Sequence, residues 1–302
     1  MAGATGAIGT PLLELLRAAG VSVVGMTRSE AGAERIRSLG AEPAIADALD
    51  RDAVARVVAD AQPDAIVHQL TAIPPAINPR RAPRQFAQTN RLRTEGTRNL
   101  VDAAAGAKLI AQSIAFMYEP EGDAVKGEDA PLRRSPVSSF RPQIDALVEL
   151  ERTVGAAGGV VLRYGYFYGP GTSYARDGSI ADMVRKRRFP IVGEGGGIFS
   201  FVHVRDAAEA TVAALDAEPG TVLNVVDDHP APVADWLPAY ASVLGARAPL
   251  RVPVWMAKVF AGVYAVELMT RQRGASNQRA KATLGWKPAR PSWRAGFAED
   301  LA

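Results

Sequence analysis

Apolar positions along this chain change their spacing in a regular order. Leu12, Leu13, Leu15 and Leu16 share a helical face within 10–17, Gly20 stops that helix, and an apolar run at 21–26 follows as a buried strand. The switch repeats downstream: a helix near 29–38, a short strand at 43–46, a helix near 50–60 and a strong strand at 64–70. A long helix over 83–105 leads to a strand at 108–113. After a loop rich in proline and charge, a helix at 142–157 leads to a strand at 160–163. Such alternation predicts βαβ units, and hence an α/β fold with a doubly wound, Rossmann-type parallel sheet.

From Gly169 onward the pattern breaks into shorter segments, with helices near 178–188, 205–217, 233–244 and 253–270. A strand at 221–226 rejoins the sheet. The expected organisation is a sheet domain over 1–168, rejoined by about 201–228, and a smaller C-terminal substrate-binding lobe made of 169–200 and 229–302. Lys258 and Glu267 interrupt the most apolar stretch, 252–269, which makes it a buried or partner-facing helix rather than a membrane span.

Composition narrows the chemistry. The chain has 302 residues, 48% of them hydrophobic, enough for one large core or a core with a smaller second unit. There is no cysteine, which removes disulfides, thiolate metal sites and thiol nucleophiles and suits a cytoplasmic setting. His68, His203 and His229 lie too far apart in sequence for metal-ligand spacing, so no metal is expected. The net charge is only +3, and neither the arginines at 80–84 nor those at 185–188 are interleaved with aromatics. The expected partner is therefore a small molecule, not a nucleic acid or a membrane.

The turn Gly3-Ala-Thr-Gly6-Ala-Ile-Gly9 directly precedes the first helix. Glycines three apart let a backbone turn sharply, approach a pyrophosphate and pack on a sheet, while the helix N-terminus faces the anion. A strand should precede that turn, yet only Met1 and Ala2 do. In a sheet of order 3-2-1-4-5-6 the loss of the first strand would leave its neighbours about 10 Å apart. The pattern predicts a recorded start a few codons downstream of the real one, with about five apolar residues missing.

Taken together, Gly3, Gly6 and Gly9, Asp47-Ala-Leu, Asn90 in its Thr-Asn-x-x-x-Thr-Glu-Gly-Thr-Arg-Asn-Leu context, Leu162-Arg-Tyr-Gly-Tyr-Phe-Tyr-Gly-Pro-Gly171, Phe201-Val-His-Val-Arg-Asp206 and Leu284-Gly-Trp-Lys-Pro288 resemble the extended short-chain dehydrogenase/reductases, the NAD-dependent epimerase/dehydratase family. The resemblance covers nearly the whole chain. It implies a dinucleotide across the carboxyl ends of the strands. Gly3, Thr5, Gly6, Ala7, Ile8 and Gly9 would hold the pyrophosphate, and Asp47 with Ala48 would flank the adenine. Leu70, Thr71 and Ala72 would line the nicotinamide ribose, Tyr164, Tyr166 and Phe167 would border the nicotinamide, and Asn90 would be structural or close to a ribose. Arg28 stands where an NAD-specific site would offer an acid to the ribose, and a cation suits a 2′-phosphate; NADP is therefore favoured, with NAD possible. The alternative for Arg28 is a solvated loop arginine beside Glu30.

The family's proton-transfer pair, a tyrosine with a lysine four residues on, should open the helix after the 120–140 loop, and Ser138-Ser-Phe-Arg-Pro-Gln-Ile-Asp-Ala-Leu-Val-Glu149 contains neither. Ser113 is the one hydroxyl that could polarise a substrate oxygen, and Tyr118 is the leading replacement donor, with Tyr164, Tyr166 and Lys126 as others. Each tyrosine could equally be core. In nucleotide-sugar enzymes of the family an arginine that binds a diphosphate often stands four residues before the histidine at 203; here that position is Phe199. A less anionic, more apolar substrate is expected, lined by Phe199, Phe201, Trp255, Met256 and Phe260. Two functions stay open: an NAD(P)-dependent oxidoreductase or epimerase-like enzyme acting on a carbonyl or secondary alcohol, and a dinucleotide-binding sensor without turnover. A third, RNA binding by the same fold, would require strongly salt-dependent affinity.

Overall fold

The computed structural model describes residues 1–74, 77–78, 81–134 and 140–301. Six parallel strands build its central sheet: β1 (Val24–Thr27), β2 (Glu42–Ile45), β3 (Ala65–His68), β4 (Lys108–Ile114), β5 (Val160–Tyr164) and β6 (Val222–Val225). Four of them run in the order β6-β5-β4-β3, and β1 pairs with β2. Met1 and Ala2 join the two halves. Ala2 bridges Met26 on one side and His68 on the other, its N–H donating to the Val67 carbonyl and its own carbonyl accepting from Gln69 N–H, both at 2.8 Å. The Met1 amino group donates to the Val24 carbonyl at 2.7 Å, and burial lowers its pKa to about 6. The gap expected between the flanking strands is thus spanned at its carboxyl end by two residues.

Strand residues alternate between two cores, as a sheet covered on both faces requires. Ile110 and Val160 turn toward α1 (Gly9–Ala18) and α5 (Val204–Ala213). Leu109, Ala111 and Val161 turn toward α3 (Arg51–Ala61), the helix Thr97–Ala103 and α4 (Arg141–Ala156). Side-chain caps start three of the helices: Ser29 accepts from Gly32 N–H at the head of α2 (Glu30–Ser38), Asp50 accepts from Ala53 N–H at the head of α3, and His203 Nδ1 accepts from Arg205 N–H at the head of α5.

The helix expected over 83–105 is broken into Ala82–Gln85, Ala87–Arg91, a π turn at Leu92–Gly96 and Thr97–Ala103. The apolar stretch near 253–270 forms α6 (Val254–Thr270), with Gly262 at φ 85°, ψ 167° in its middle. Only glycine holds such a conformation readily, so the helix kinks there. C-terminal to β5, Tyr168, Tyr174, Phe201, Trp236, Tyr240 and Phe297 pack as a separate aromatic core. No helix among the described residues is long and apolar enough to cross a membrane, and no cluster of potential metal ligands occurs among them.

Candidate active site

The glycine turn is built by close contact. At Gly3, with φ +94°, an added Cβ would lie 2.7 Å from the Gln69 backbone, and at Gly9 it would lie 2.3 Å from the Ala4 carbonyl oxygen. At Gly6 it would meet only the Gly3 oxygen, at 3.4 Å, and otherwise point into open space. That space is a cleft of about 410 Å3 at the carboxyl ends of the strands. Gly3, Thr5, Gly6, Arg28, Asp47, Ala48, Leu70 and Thr71 line it, all of them expected from the sequence. Met26, Thr27, Ser29, Ala46, Gln69 and Leu92 also line it and were not expected; all but Leu92, which opens the π turn, lie at or beside a strand end next to expected residues.

The cleft suits a dinucleotide. A Cβ-free floor at Gly6 leaves room for a pyrophosphate against backbone N–H groups at the start of α1. Gln69 presents a buried Oε1 with no partner while its Nε2 donates to the Tyr164 hydroxyl at 3.2 Å, so the wall holds an acceptor still to be satisfied. Arg28 is exposed on the rim and makes no ion pair among the described residues. Asp47 is engaged locally, accepting from Leu49 N–H at 3.0 Å.

The other expected binding residues stand behind this wall. Ile8 belongs to the core under α1, Ala7 packs against that core, and Gly9 opens the helix. Ala72 N–H donates to Thr89 Oγ1 at 3.1 Å, fastening the chain beyond Thr71 to the next helix. Asn90 has a buried, unpartnered Oδ1 but does not line the cleft. Tyr164 is buried, its hydroxyl held between Gln69 and Thr211, and burial lifts its pKa to about 12. Phe167 tilts against the Tyr164 ring at 5.2 Å.

Ser113 and Tyr118, the expected catalytic hydroxyls, are placed elsewhere. Ser113 Oγ donates to Glu151 Oε1 at 2.6 Å, on the α4 side of the sheet. Glu151 also receives a two-pronged bond from Arg163, Nε at 2.9 Å and Nη2 at 2.6 Å. Arg163 Nη1 in turn donates to the Tyr118 hydroxyl at 2.9 Å, which donates to Asn224 Oδ1 at 2.7 Å. Burial raises the Tyr118 pKa, opposing proton release. Although burial works against its charge, Arg163 is held protonated by Glu151. Both hydroxyls are committed to one buried polar network, and neither lines the cleft. Helix periodicity alone could not reveal this, because the partner at 151 lies on a helix facing the sheet.

What stands at the carboxyl edge instead is aromatic. Phe116, just past β4, stacks on Tyr166, just past β5, at 4.2 Å and 11°; Tyr166 stacks on Phe199 at 4.5 Å and 21°. The Tyr166 hydroxyl donates to Gln272 Oε1 at 2.8 Å, and burial raises its pKa well above the ordinary tyrosine value. Tyr264, on α6 beyond the kink, stacks on Phe140 at 3.9 Å. Of the apolar lining expected from the sequence, Phe199 joins this wall and Phe201 enters the neighbouring core. Trp255 and Phe260 are 65% and 71% exposed on the outer half of α6. Where the family's tyrosine and lysine were sought, α4 begins with Arg141 and carries an exposed Asp145 one turn later; Ser138 and Ser139 lie outside the described residues.

The chain matches the NAD dependent epimerase/dehydratase family over residues 1–225. It is 47% identical, over 99% of both chains, to a Streptomyces protein named 3-diazoavenalumate denitrifying reductase. It is 26% identical, over 82% of this chain and 73% of the other, to a Stigmatella aurantiaca ketoreductase named for a farnesylated dihydroquinoline-1-oxide. In fold it resembles the UDP-glucose 4-epimerase of Thermus thermophilus, solved with NAD, with a TM-score of 0.75 and 22% identity over 99% of this chain and 96% of that one. The Thermotoga maritima UDP-glucose 4-epimerase, solved with UDP-glucose, gives 0.78 and 19% over the same shares. With a parallel sheet of this order, a glycine turn seated on β3 and a family match across three quarters of its length, the chain belongs to the NAD-dependent epimerase/dehydratase family and is an enzyme of the short-chain dehydrogenase/reductase type.

Proposed function

We propose that this protein is an NADP-dependent reductase that removes dinitrogen from a flat, conjugated diazo carboxylate and leaves hydrogen in its place. One observation carries the proposal: among the described residues, no tyrosine–lysine pair opens α4, and the two hydroxyls expected to replace it are engaged by Arg163, Glu151 and Asn224. Reduction of a carbonyl requires a proton for the new alkoxide. Replacement of dinitrogen on a cationic diazonium carbon, the charge-separated form of a diazo group conjugated to a ring oxygen, does not: when bound, NADPH would supply a hydride whose electron pair forms the new C–H bond, and the pair of the broken C–N bond departs with N2. Support for the substrate class comes from the 47% identical denitrifying reductase.

The chain's own residues bind, orient and exclude water. Gly3, Thr5, Gly6, Asp47, Leu70 and Thr71 would hold the dinucleotide, with Gln69 Oε1 accepting from it. Arg28 favours the 2′-phosphate of NADP. The stack of Phe116, Tyr166 and Phe199 offers a flat aromatic face to a conjugated substrate and keeps bulk water from it. Phe199, standing where a diphosphate-binding arginine often stands, suits a substrate other than a nucleoside-diphosphate sugar.

The test is to incubate the protein with 3-diazoavenalumate and 4-deuterated NADPH under argon, measuring gas and product by mass spectrometry. One N2 per NADPH oxidised, with deuterium on the carbon that bore nitrogen, is expected. NADPH oxidation without N2 release, or N2 release without deuterium in the product, would overturn it. Binding of NADPH with no turnover of diazo or carbonyl substrates would favour the sensor instead.

A further inference from the structure

Arg93 is 4% exposed, yet its guanidinium has neither a carboxylate nor a hydrogen-bond acceptor among the described residues. It sits in the π turn Leu92–Gly96, where the neighbouring Leu92 lines the cofactor cleft. A one-residue expansion of this kind re-aims side chains and often occurs at functional sites. Burial pulls the Arg93 pKa down to about 10, which still leaves it charged at neutral pH. A bare buried cation costs several kcal/mol and persists only where something offsets it.

Among the described residues, its surroundings hold no counter-charge. His68 is close enough to feel the charge, and burial together with Arg93 lowers the His68 pKa to about 4, so that neighbour is neutral. Tyr264 is the other group in electrostatic contact with Arg93, and burial keeps its hydroxyl protonated. The Tyr264 ring stacks on Phe140, which caps α4. In the first turn of α4, Gln143 is 1% exposed and has both Nε2 and Oε1 without partners. This helix packs directly against the π turn. Tyr264 also interacts electrostatically with Tyr166, so one tyrosine side chain is shared between Arg93 and the aromatic wall.

We propose that Arg93, assisted by the Gln143 amide, anchors the carboxylate of the substrate, so that the pocket selects a conjugated acid over its neutral ester. This rests on the reductase reading for the identity of the acid, while the anchor itself follows from the unpaired groups. A guanidinium takes a carboxylate through two parallel N–H bonds, and an amide N–H can supply a third. The flat remainder of the acid then lies along Phe116 and Tyr166, at the carboxyl edge of β4 and β5. The nearby Arg133 does not compete, because Glu267 already pairs with it at 3.1 Å.

Calorimetry on the NADP+-bound protein tests the anchor with avenalumate, cinnamate and their methyl esters, comparing wild type with Arg93→Met and Arg93→Lys. Wild type should bind at least one acid about 30-fold more tightly than its ester. In Arg93→Met that preference should vanish through loss of acid affinity, with ester and NADPH affinities within about threefold of wild type, and Arg93→Lys should recover part of it. The Met variant should also melt at a higher temperature without ligand, since it removes an uncompensated buried charge; a merely structural arginine would do the reverse. Equal binding of acid and ester by wild type, or an unchanged preference in Arg93→Met, overturns the proposal. A parallel loss of NADPH affinity in Arg93→Met also overturns it and assigns Arg93 to the cofactor. Retained acid preference without N2 release would sink the denitrification reading and leave the anchor standing.

Discussion

At the scale of single residues, the clearest energetic commitment is the Glu151–Arg163 pair, whose side chains are 10% and 6% exposed. Two charge-assisted bonds hold the pair, and Ser113 and Tyr118 complete its hydrogen bonding. Glu151→Ala leaves a buried guanidinium uncompensated, which should cost about 3–5 kcal/mol, against well under 1 kcal/mol for an exposed pair such as Arg91–Glu95. Urea unfolding of both deletions checks the contrast; equal effects would mean that the buried network does not bear on stability. Arg28 is the opposite kind of residue, exposed beside a cleft and without an ion pair among the described residues. Arg28→Ala should weaken NADPH about 10-fold and leave NADH within about twofold, as removal of a charge-assisted phosphate contact predicts. Equal loss of both cofactors in fluorescence titrations would refute its phosphate role.

At the scale of elements, legibility followed locality. The strands after 20 and the helices around them were readable because burial on both faces makes strands short apolar runs and helices amphipathic; Ile110 beside Leu109 and Ala111 shows how one run feeds two cores. The glycine turn was readable because close contact with Gln69 and Ala4 demands glycine at positions 3 and 9. The helix over 83–105 read as continuous, since a π turn preserves helical composition and leaves no local sequence mark. The kink at Gly262 was likewise hidden in an apolar run, and it separates an exposed outer half of α6 from an inner half that packs through Val266 and Met269. Ser113 and Tyr118 stand in a buried network away from the cleft for a different reason. Strand-end position is local, but the partners that capture them, Glu151 and Asn224, come from 38 and 106 residues away. Arg93 drew no notice in sequence because its significance lies in the absence of a partner, a property of packing alone.

Across the whole molecule, pH tests whether the cleft wall depends on neutral histidine. His68 Nδ1 accepts from Leu70 N–H at 3.2 Å, so its Nε2 carries the proton shared with Thr97 Oγ1 at 3.0 Å. Protonating Nδ1 would break the bond that holds Leu70 in the wall. His203 has the same dependence, its Nδ1 accepting from Arg205 N–H at the head of α5. Burial, aided by Arg93 at His68 and by Arg290 at His203, brings both pKa values to about 4. Because these lie below the ordinary 6.5, the unfolded chain binds more protons between pH 6.5 and 4. The stability each histidine contributes is therefore complete above pH 6.5 and is lost as pH falls toward 4, at up to about 1.4 kcal/mol per pH unit. Carboxylates near His203 oppose this: burial raises the pKa of Asp206, Asp227 and Asp300, so the folded state retains their protons more readily than the unfolded chain does. The His68 contribution is free of such neighbours, facing Arg93 and Thr97 instead. Its ring-proton resonances should stay at their neutral positions down to pH 5, and His68→Asn should flatten the acid limb of the stability curve without moving the limb assigned to His203. A His68 resonance that titrates near pH 6.5 would show that the Leu70 bond is not fixed by the neutral ring, and that the cleft wall is held by backbone packing at Gly3 alone.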